Sequence, residues 1–289
     1  MLISLLTAAD VDSAQRLVEA AGWNQLPADW LRLLVRQPQG CWKATIDGQL
    51  VGTVTTICYD TTLAWIGMML VDPAWRRQGL GRQLMRTAID YLLQSGVAHI
   101  GLDATPAGRP LYEQLGFTTA AQWQRWGRPD QPDANLVARR DAPHAAPGPS
   151  GSVPPTDTCA TELLSGCREL DQTAFGVDRW TWVRKLAGEA FVACDSPSYG
   201  LLRQGRIAAT LGPLVACDAA TAARLASRLL AQCPGACLWD VPPDNPAAIG
   251  LAQQHGFAPL RDLYRMWLGP PGPTGATHQL FAISDPATG

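Results

Sequence analysis

Three arginines and two glycines crowd into seven residues, Arg76-Arg77-Gln78-Gly79-Leu80-Gly81-Arg82, at a point where one sequence pattern gives way to another. Upstream, the apolar run Trp65-Ile66-Gly67-Met68-Met69-Leu70-Val71 reads as a buried strand that breaks at Asp72-Pro73. Downstream, Leu80, Leu84, Ala88 and Leu92 fall on one face of a helix. Glycine lets a ligand approach the main chain closely, and the first N–H groups of a helix have no intrahelical acceptors. The helix dipole adds partial positive charge there, and the arginines add full charges. Such a turn suits a pyrophosphate. It is not a Walker-type loop, because no Gly-Lys-Ser/Thr follows, nor a dinucleotide fingerprint, because Gly79-Leu80-Gly81-Arg82-Gln83-Leu84 lacks the third glycine. On this segment alone an ordinary strand-to-helix turn stays open.

A second segment joins another strand to a short helix that carries a tyrosine, Tyr112. His99-Ile100-Gly101-Leu102-Asp103-Ala104 reads as a strand with Ile100, Leu102 and Ala104 on one face. Thr105-Pro106-Ala107-Gly108 leads into a short helix, Pro110-Leu111-Tyr112-Glu113-Gln114-Leu115, stopped at Gly116-Phe117. Proline suits a first helical turn and glycine the position just past the last. Together the two segments, from Trp65 to Phe117, resemble motifs A and B of the GNAT superfamily, the acyl-CoA-dependent N-acyltransferases.

The resemblance implies a site. Arg76, Arg77, Gln78, Gly79, Leu80, Gly81 and Arg82 would take the CoA pyrophosphate, and the main chain at Met69, Leu70 and Val71 would pair with pantetheine and donate N–H to the acyl oxygen. Thr105, Gly108, Leu111 and Tyr112 would border the same cofactor. Tyr112 stands where the family places a hydroxyl near the CoA sulfur, and a phenol of pKa near 10 can protonate a departing thiolate. A half-buried core aromatic is the other reading of Tyr112. Relatives often carry a Glu on the motif A strand as base, but Trp65 to Val71 holds no carboxylate. Asp103, offset from the apolar face of its strand, is the candidate for amine binding or for base through water, against a plain surface carboxylate. Tyr59 and Asp60 are further candidates on a strand end, and Asp178 and Arg179 could reach a cleft or form a local pair or cap. Of the eleven tryptophans, Trp23, Trp30, Trp42, Trp65, Trp75, Trp123 and Trp126 could line an amine pocket or pack a core.

These residues need a scaffold. Strand Leu2-Leu6, a helix from Asp10 to Gly22, a helix from Pro27 to before Pro38, and strands Cys41-Ile46 and Leu50-Tyr59 around the hairpin dipeptide Asp47-Gly48 precede motif A. With Thr118-Trp126 after motif B, the order is β-α-α-β-β-β-α-β-α-β, which is the GNAT order; a last strand is expected at Leu136-Val137-Ala138. Residues 141–158 read as a Pro/Gly/Ser-rich linker. Beyond it the pattern repeats: helices over Glu162-Asp171 and Arg179-Ala187, strand Ala190-Cys194, a turn at Gln204-Gly205, strand Thr210-Ala216, a helix near Ala219 to Ala231, strand Cys237-Val241, and a helix after Asp244-Asn245-Pro246 ending His255-Gly256-Phe257. Phe175-Gly176-Val177-Asp178-Arg179, Asp240 to Ala248 and Arg265-Met266 resemble the C-terminal module of a bacterial tandem-GNAT group. This copy has Gly212-Pro213 and Cys217-Asp218 where the first has its glycine turn, and Ala252 in place of Tyr112.

The expected fold is therefore α/β with a mixed sheet: two GNAT-like domains in tandem, each a twisted, mostly antiparallel sheet with a splayed parallel pair flanked by helices. Residues 1–140 would be the catalytic domain and 159–289 a degenerate one with an acceptor-site or structural role. At 289 residues and 47% hydrophobic content, two cores are affordable. A net charge of −2 gives no reason to expect a nucleic-acid or membrane partner. The opening Met1-Leu2-Ile3-Ser4-Leu5-Leu6 lacks the basic flank of a signal peptide, so the cytoplasm is expected. Eight scattered cysteines and four histidines, with Cys233-Pro-Gly-Ala-Cys237 lacking a matching pair, suggest buried thiols and no metal. The expected activity is acetyl-CoA-dependent N-acetylation of a primary amine, on a small molecule or peptide, by direct transfer in a ternary complex. An acetyl-CoA-binding sensor without turnover is the alternative. Acyl length and oligomeric state stay open.

Overall fold

The computed structural model describes residues 1–129 and 162–289. The strand expected at 136–138 and the linker at 141–158 lie outside them. In chain order the elements are β1 (Leu2–Leu5), α1 (Val11–Ala20), α2 (Pro27–Arg36), β2 (Cys41–Ile46), β3 (Gln49–Tyr59), β4 (Leu63–Val71), α3 (Leu80–Gln94), β5 (His99–Ala104), α4 (Arg109–Glu113) and β6 (Phe117–Arg128). After the second described segment begins come α5 (Arg168–Phe175), α6 (Trp180–Ala187), β7 (Ala190–Asp195), β8 (Ser198–Arg203) and β9 (Ala209–Val215). Then follow α7 (Ala219–Leu230), β10 (Cys237–Val241), α8 (Pro246–Gln254), β11 (Ala258–Leu268) and β12 (Leu280–Ala282). The first ten elements come in the expected order; the second set runs α-α-β-β-β-α-β-α-β-β, without a leading strand and with β11 and β12 added to the expected elements.

These elements form two compact units that do not simply divide the chain in half. The first comprises residues 1–120, 264–272 and 286–289; the second comprises 121–263 and 273–285. In the first unit the strands run β1-β2-β3-β4-β5-β11, all neighbours antiparallel except the parallel pair β4/β5. Asp47 (φ 50°) and Gly48 (φ 79°) turn the β2/β3 hairpin through two left-handed residues, which is why that dipeptide is there. β4 carries a bulge: Thr55 faces Gly67 while Thr53 faces Leu70, and Met68 between them adopts φ 47°.

Strand alternation gives this sheet two chemically different faces. Toward α3 point Val51, Val54, Ala64, Ile66, Ile100, Leu102, Ala104 and Met266, which pack on Leu80, Leu84, Met85, Ala88 and Leu92. Toward the other face point Thr55, Tyr59, Trp65, Gly67, Asp103, Arg265 and Trp267.

The second unit orders its strands β6-β10-β9-β8-β7, with β9/β10 parallel and β12 antiparallel to β9. Its core joins Leu211, Leu214 and Trp239 to Ala222, Leu225, Ala226 and Leu229 of α7 and to Ala248, Leu251 and Ala252 of α8. One helix differs from expectation. The periodicity over Glu162-Asp171 becomes a turn and then α5, because Gly166 at φ 85° interrupts it; Gly176 at φ 99° then ends α5.

Candidate active site

The turn between β4 and α3 is shaped by left-handed residues. Asp72 accepts from the Ala74 N–H at 2.9 Å, fixing a short 3₁₀ turn over Pro73–Trp75. Arg77 (φ 62°) and Gly79 (φ 83°) then both take the left-handed conformation, and a Cβ built on Gly79 would project into open space. Among the described residues no side chain caps α3, so its first-turn N–H groups are unclaimed by a cap. Arg76, Arg77 and Gln78 are exposed around it. Arg76 Nε donates to the Val71 carbonyl at 3.1 Å, and Arg82 reaches Gln114 Oε1 on the far side. Gly81 is glycine for a different reason: a Cβ there would lie 2.7 Å from Met69 Cε and 3.2 Å from Leu111 Cδ2. Met69, Val71, Gly81 and Leu111 thus meet at one point.

Beside this turn the sheet opens. β4 and β5 pair only at Leu63↔His99, Ala64↔Ile100 and Trp65↔Gly101, although both strands run on. Beyond Trp65 the main chain of β4 has no ladder partner on its β5 side among the described residues, while β5 stays paired with β11 along its other edge. Thr53 Oγ1 donates to the Met68 carbonyl at 2.9 Å and steadies the bulge at the mouth of the gap.

Tyr112 stands on the α3 face. Its ring packs edge-on to Phe117 at 6.2 Å and lies 3.1 Å from where a Gly108 Cβ would be. Gly108 N donates to Thr105 Oγ1 at 3.2 Å, setting the turn that presents α4. The ring is half-buried, yet burial around the hydroxyl pushes its pKa up to about 12. Among the described residues no group hydrogen-bonds that hydroxyl.

Asp103 lies on the opposite face. Arg265 holds it bidentately, Nε to Oδ1 at 3.0 Å and Nη2 to Oδ2 at 2.8 Å, and the carboxylate is fully shielded while Arg265 is 14% exposed. The guanidinium also lies over the Trp65 ring at 4.6 Å, and Trp65 meets Trp267 edge-on at 5.6 Å. Arg265 and Trp267 were not foreseen as site residues; the alternation in Tyr264-Arg265-Met266-Trp267 is their only local signal. Tyr59 Oη donates to the Thr288 carbonyl, and exposed Asp60 accepts from Thr62 N–H at 2.5 Å. In the second unit, Arg179 pairs with buried Asp171, while Asp178 pairs with Arg168 and accepts from Trp180 N–H. Trp30, Trp42, Trp65, Trp123 and Trp126 are buried, whereas Trp23 and Trp75 are half-buried. Among the described residues no His, Cys, Asp or Glu cluster could hold a metal, and no helix is long and apolar enough to cross a membrane.

The second unit repeats the gap and fills it. β9 and β10 also pair at three positions, Ala209↔Cys237, Thr210↔Leu238 and Leu211↔Trp239. Beyond them β12 takes up the free edge of β9, Leu280 against Val215 and Ala282 against Leu214. Trp239 Nε1 donates to the Phe281 carbonyl at 2.8 Å and Ile283 N to the Asp240 carbonyl at 3.2 Å. Asp218 caps α7, accepting from Thr221 N–H at 2.8 Å; that hydrogen bond holds its carboxyl below the ordinary range. Gap and helix terminus are both already served by the chain itself.

Family models agree with this doubling. One described as "Acetyltransferase (GNAT) family" matches residues 8–117, and one described as "Acetyltransferase (GNAT) domain" matches residues 167–282. An uncharacterized N-acetyltransferase, YitH of Bacillus subtilis, is 27% identical over 260 residues, covering 86% of this chain and 84% of that protein. The [ribosomal protein bS18]-alanine N-acetyltransferase of Escherichia coli is 47% identical over 83 residues, covering 27% of this chain and 55% of that one. A Pyrococcus horikoshii crystal structure superposes with TM-score 0.79 at 22% identity, covering 100% of this chain and 95% of that one. A GCN5-related N-acetyltransferase from Sphaerobacter thermophilus superposes with TM-score 0.58 at 16% identity over 99% of this chain and 98% of that one. At such identities these two structures speak for the fold alone. The chain belongs to the GNAT acetyltransferases, as a tandem of two GNAT domains, and is an acyltransferase.

Proposed function

We propose that residues 1 to about 140, completed by the strand that pairs with β5, move an acetyl group from acetyl-CoA to the primary amine of a small molecule or peptide. Transfer is direct, in a ternary complex. The observation that carries this reading is the uncapped, glycine-turned start of α3 beside the gap between β4 and β5, with the Tyr112 hydroxyl on the same face. The first-turn amides with Arg76, Arg77 and Arg82 would hold the pyrophosphate. The main chain at Met69, Leu70 and Val71 would pair with the pantetheine amides, and an N–H there would donate to the acyl oxygen as negative charge grows on it. Acetyl-CoA supplies an activated carbonyl and a thiolate leaving group. Tyr112, protonated throughout the physiological range, gives its proton to the sulfur as the C–S bond breaks. β4 carries no carboxylate, so Asp103, on the opposite face and held by Arg265, is the candidate for amine binding or for base through water. The second unit, its gap filled by β12, has a structural or acceptor-selecting role, and the site works in the cytoplasm.

The test is release of free CoA thiol from acetyl-CoA across a panel of small amines, amino acids and peptides with free N-termini. Amine-dependent release with stoichiometric acetylated product supports the reading. No release with any amine at full acetyl-CoA occupancy would replace it with acetyl-CoA binding without turnover.

A further inference from the structure

Pro286–Gly289 belongs to the first unit and lies on the sheet face opposite α3. Trp65 Nε1 donates to the Pro286 carbonyl at 2.9 Å, and Tyr59 Oη donates to the Thr288 carbonyl at 2.6 Å. Between these two bonds the main chain of Ala287 presses on Gly67, where a Cβ would sit 2.3 Å from the Ala287 oxygen. Ala287 is 8% exposed and Thr288 4%, while Tyr59 and Trp65 beneath them are 1% exposed. Thr55, paired across the sheet with Gly67, is equally covered, and its Oγ1 has no hydrogen-bond partner among the described residues. A hydroxyl left so costs free energy that a bound main chain could recover.

The position matters for chemistry. The cradle, Gly81, Leu111 and Tyr112 all stand on the α3 face, so a thioester threaded through the gap from that side leaves the opposite face for an approaching amine. Gly67 is on that face, one residue before the bulge at Met68. What covers it is a run of small residues held by two of its carbonyls. The side chains that hold it, an indole N–H and a phenol O–H, are donors suited to any main-chain carbonyl, whatever the sequence.

We propose that the acceptor of this unit is an extended peptide, held by Tyr59 and Trp65 through its main-chain carbonyls and kept small where it crosses Gly67, and that Pro286–Gly289 occupies this groove until such a peptide displaces it. The inference rests on the acyl-transfer reading of the same site and narrows its substrate to peptides. The segment is then a brake in cis: occupied by its own chain, the groove admits only acceptors that outcompete a permanently tethered ligand.

Two measurements test it. A fluorescent Ser-Asp-Pro-Ala-Thr-Gly peptide should bind a variant lacking Pro286–Gly289 at least tenfold more tightly than it binds the full chain, by anisotropy in the presence of CoA. In the full chain, millimolar Ala-Thr-Gly-Ser should raise hydrogen exchange at the Ala287 and Thr288 amides at least tenfold. A folded deletion variant that does not bind the first peptide overturns the proposal, and so does unchanged exchange in the full chain. Should the deletion variant not fold, the exchange measurement decides. Peptide binding without acetyl transfer would sink the transferase reading and leave the groove assignment standing. Transfer to small amines with no peptide effect on exchange would do the reverse.

Discussion

Gly79 separates two effects that are usually entangled. It adopts φ 83° with nothing within 4 Å of a built Cβ, so alanine there meets backbone strain but no collision with protein atoms. The left-handed conformation should cost about 1–2 kcal/mol of stability in a Gly79→Ala variant. The new methyl would project where the diphosphate must approach, and acetyl-CoA affinity should fall at least tenfold by calorimetry. Unchanged affinity would return the turn to ordinary strand-to-helix geometry. Tyr112→Phe keeps the contact with Phe117 and removes only the proton, so kcat should fall roughly a hundredfold or more with acetyl-CoA binding nearly unchanged. An enzyme retaining most of its kcat would make Tyr112 a packing residue. The raised pKa gives an independent handle. Burial favours the neutral phenol in the folded state, holding it up to about 12 against an ordinary value near 10. The folded state therefore keeps the proton longer, and this stabilisation is full below about pH 10 and lost as pH rises toward 12. Melting temperature should drop over that interval more in the wild type than in Tyr112→Phe; equal drops would place the phenol in a solvent-like setting.

At the scale of elements, what the sequence makes legible is what local periodicity and turn chemistry encode. The apolar run of β4, the Asp47-Gly48 hairpin, the helical spacing of α3 and the stop at Gly116 each announce themselves within about fifteen residues. The gap itself was expected only through family resemblance, since pairing that stops at Trp65↔Gly101 leaves no local signature. Two strand pairings had no local signal, whatever alternation marks the strands themselves. β11 pairs with β5, Arg265 opposite Asp103, across 162 residues of chain, and β12 takes the open edge of β9. Register between distant strands depends on long-range packing that alternation alone does not specify. The Asp103–Arg265 pair is the polar clasp of the first of these pairings, and it makes a testable demand. Removing one partner of a buried pair leaves the other uncompensated, so Asp103→Ala should cost about 3–5 kcal/mol in denaturant unfolding. Adding Arg265→Met should recover most of it. A loss below about 1 kcal/mol in the single variant would mean the clasp is solvated enough to be dispensable.

Taken as a whole molecule, the chain carries two GNAT domains, and among the described residues the strand gap of the first is open while that of the second is filled; the difference is physical. In the first unit, β4 and β5 part after three paired positions, and among the described residues no strand closes the gap; the helix that follows starts without a side-chain cap, among exposed arginines. In the second, β9 and β10 part after three positions and β12 enters, its strand pairing consuming the main-chain groups that pantetheine would need. α7 begins with Asp218 already accepting from the Thr221 N–H and hydroxyl, where a phosphate would meet negative charge. Ala252, wholly buried, replaces the phenol. Binding there would require evicting a strand, losing the Trp239 and Ile283 hydrogen bonds, and placing a diphosphate beside a carboxylate. Each of these opposes binding, and none is offset by a new contact. Calorimetric titration should therefore saturate at one acetyl-CoA per chain. Asp218→Asn, which removes the repelling charge, should leave that stoichiometry at one, because β12 still fills the gap. A second equivalent site in the wild type would show that β12 yields to ligand; a second site appearing only in Asp218→Asn would show that the cap, and not the strand, is what keeps acetyl-CoA out.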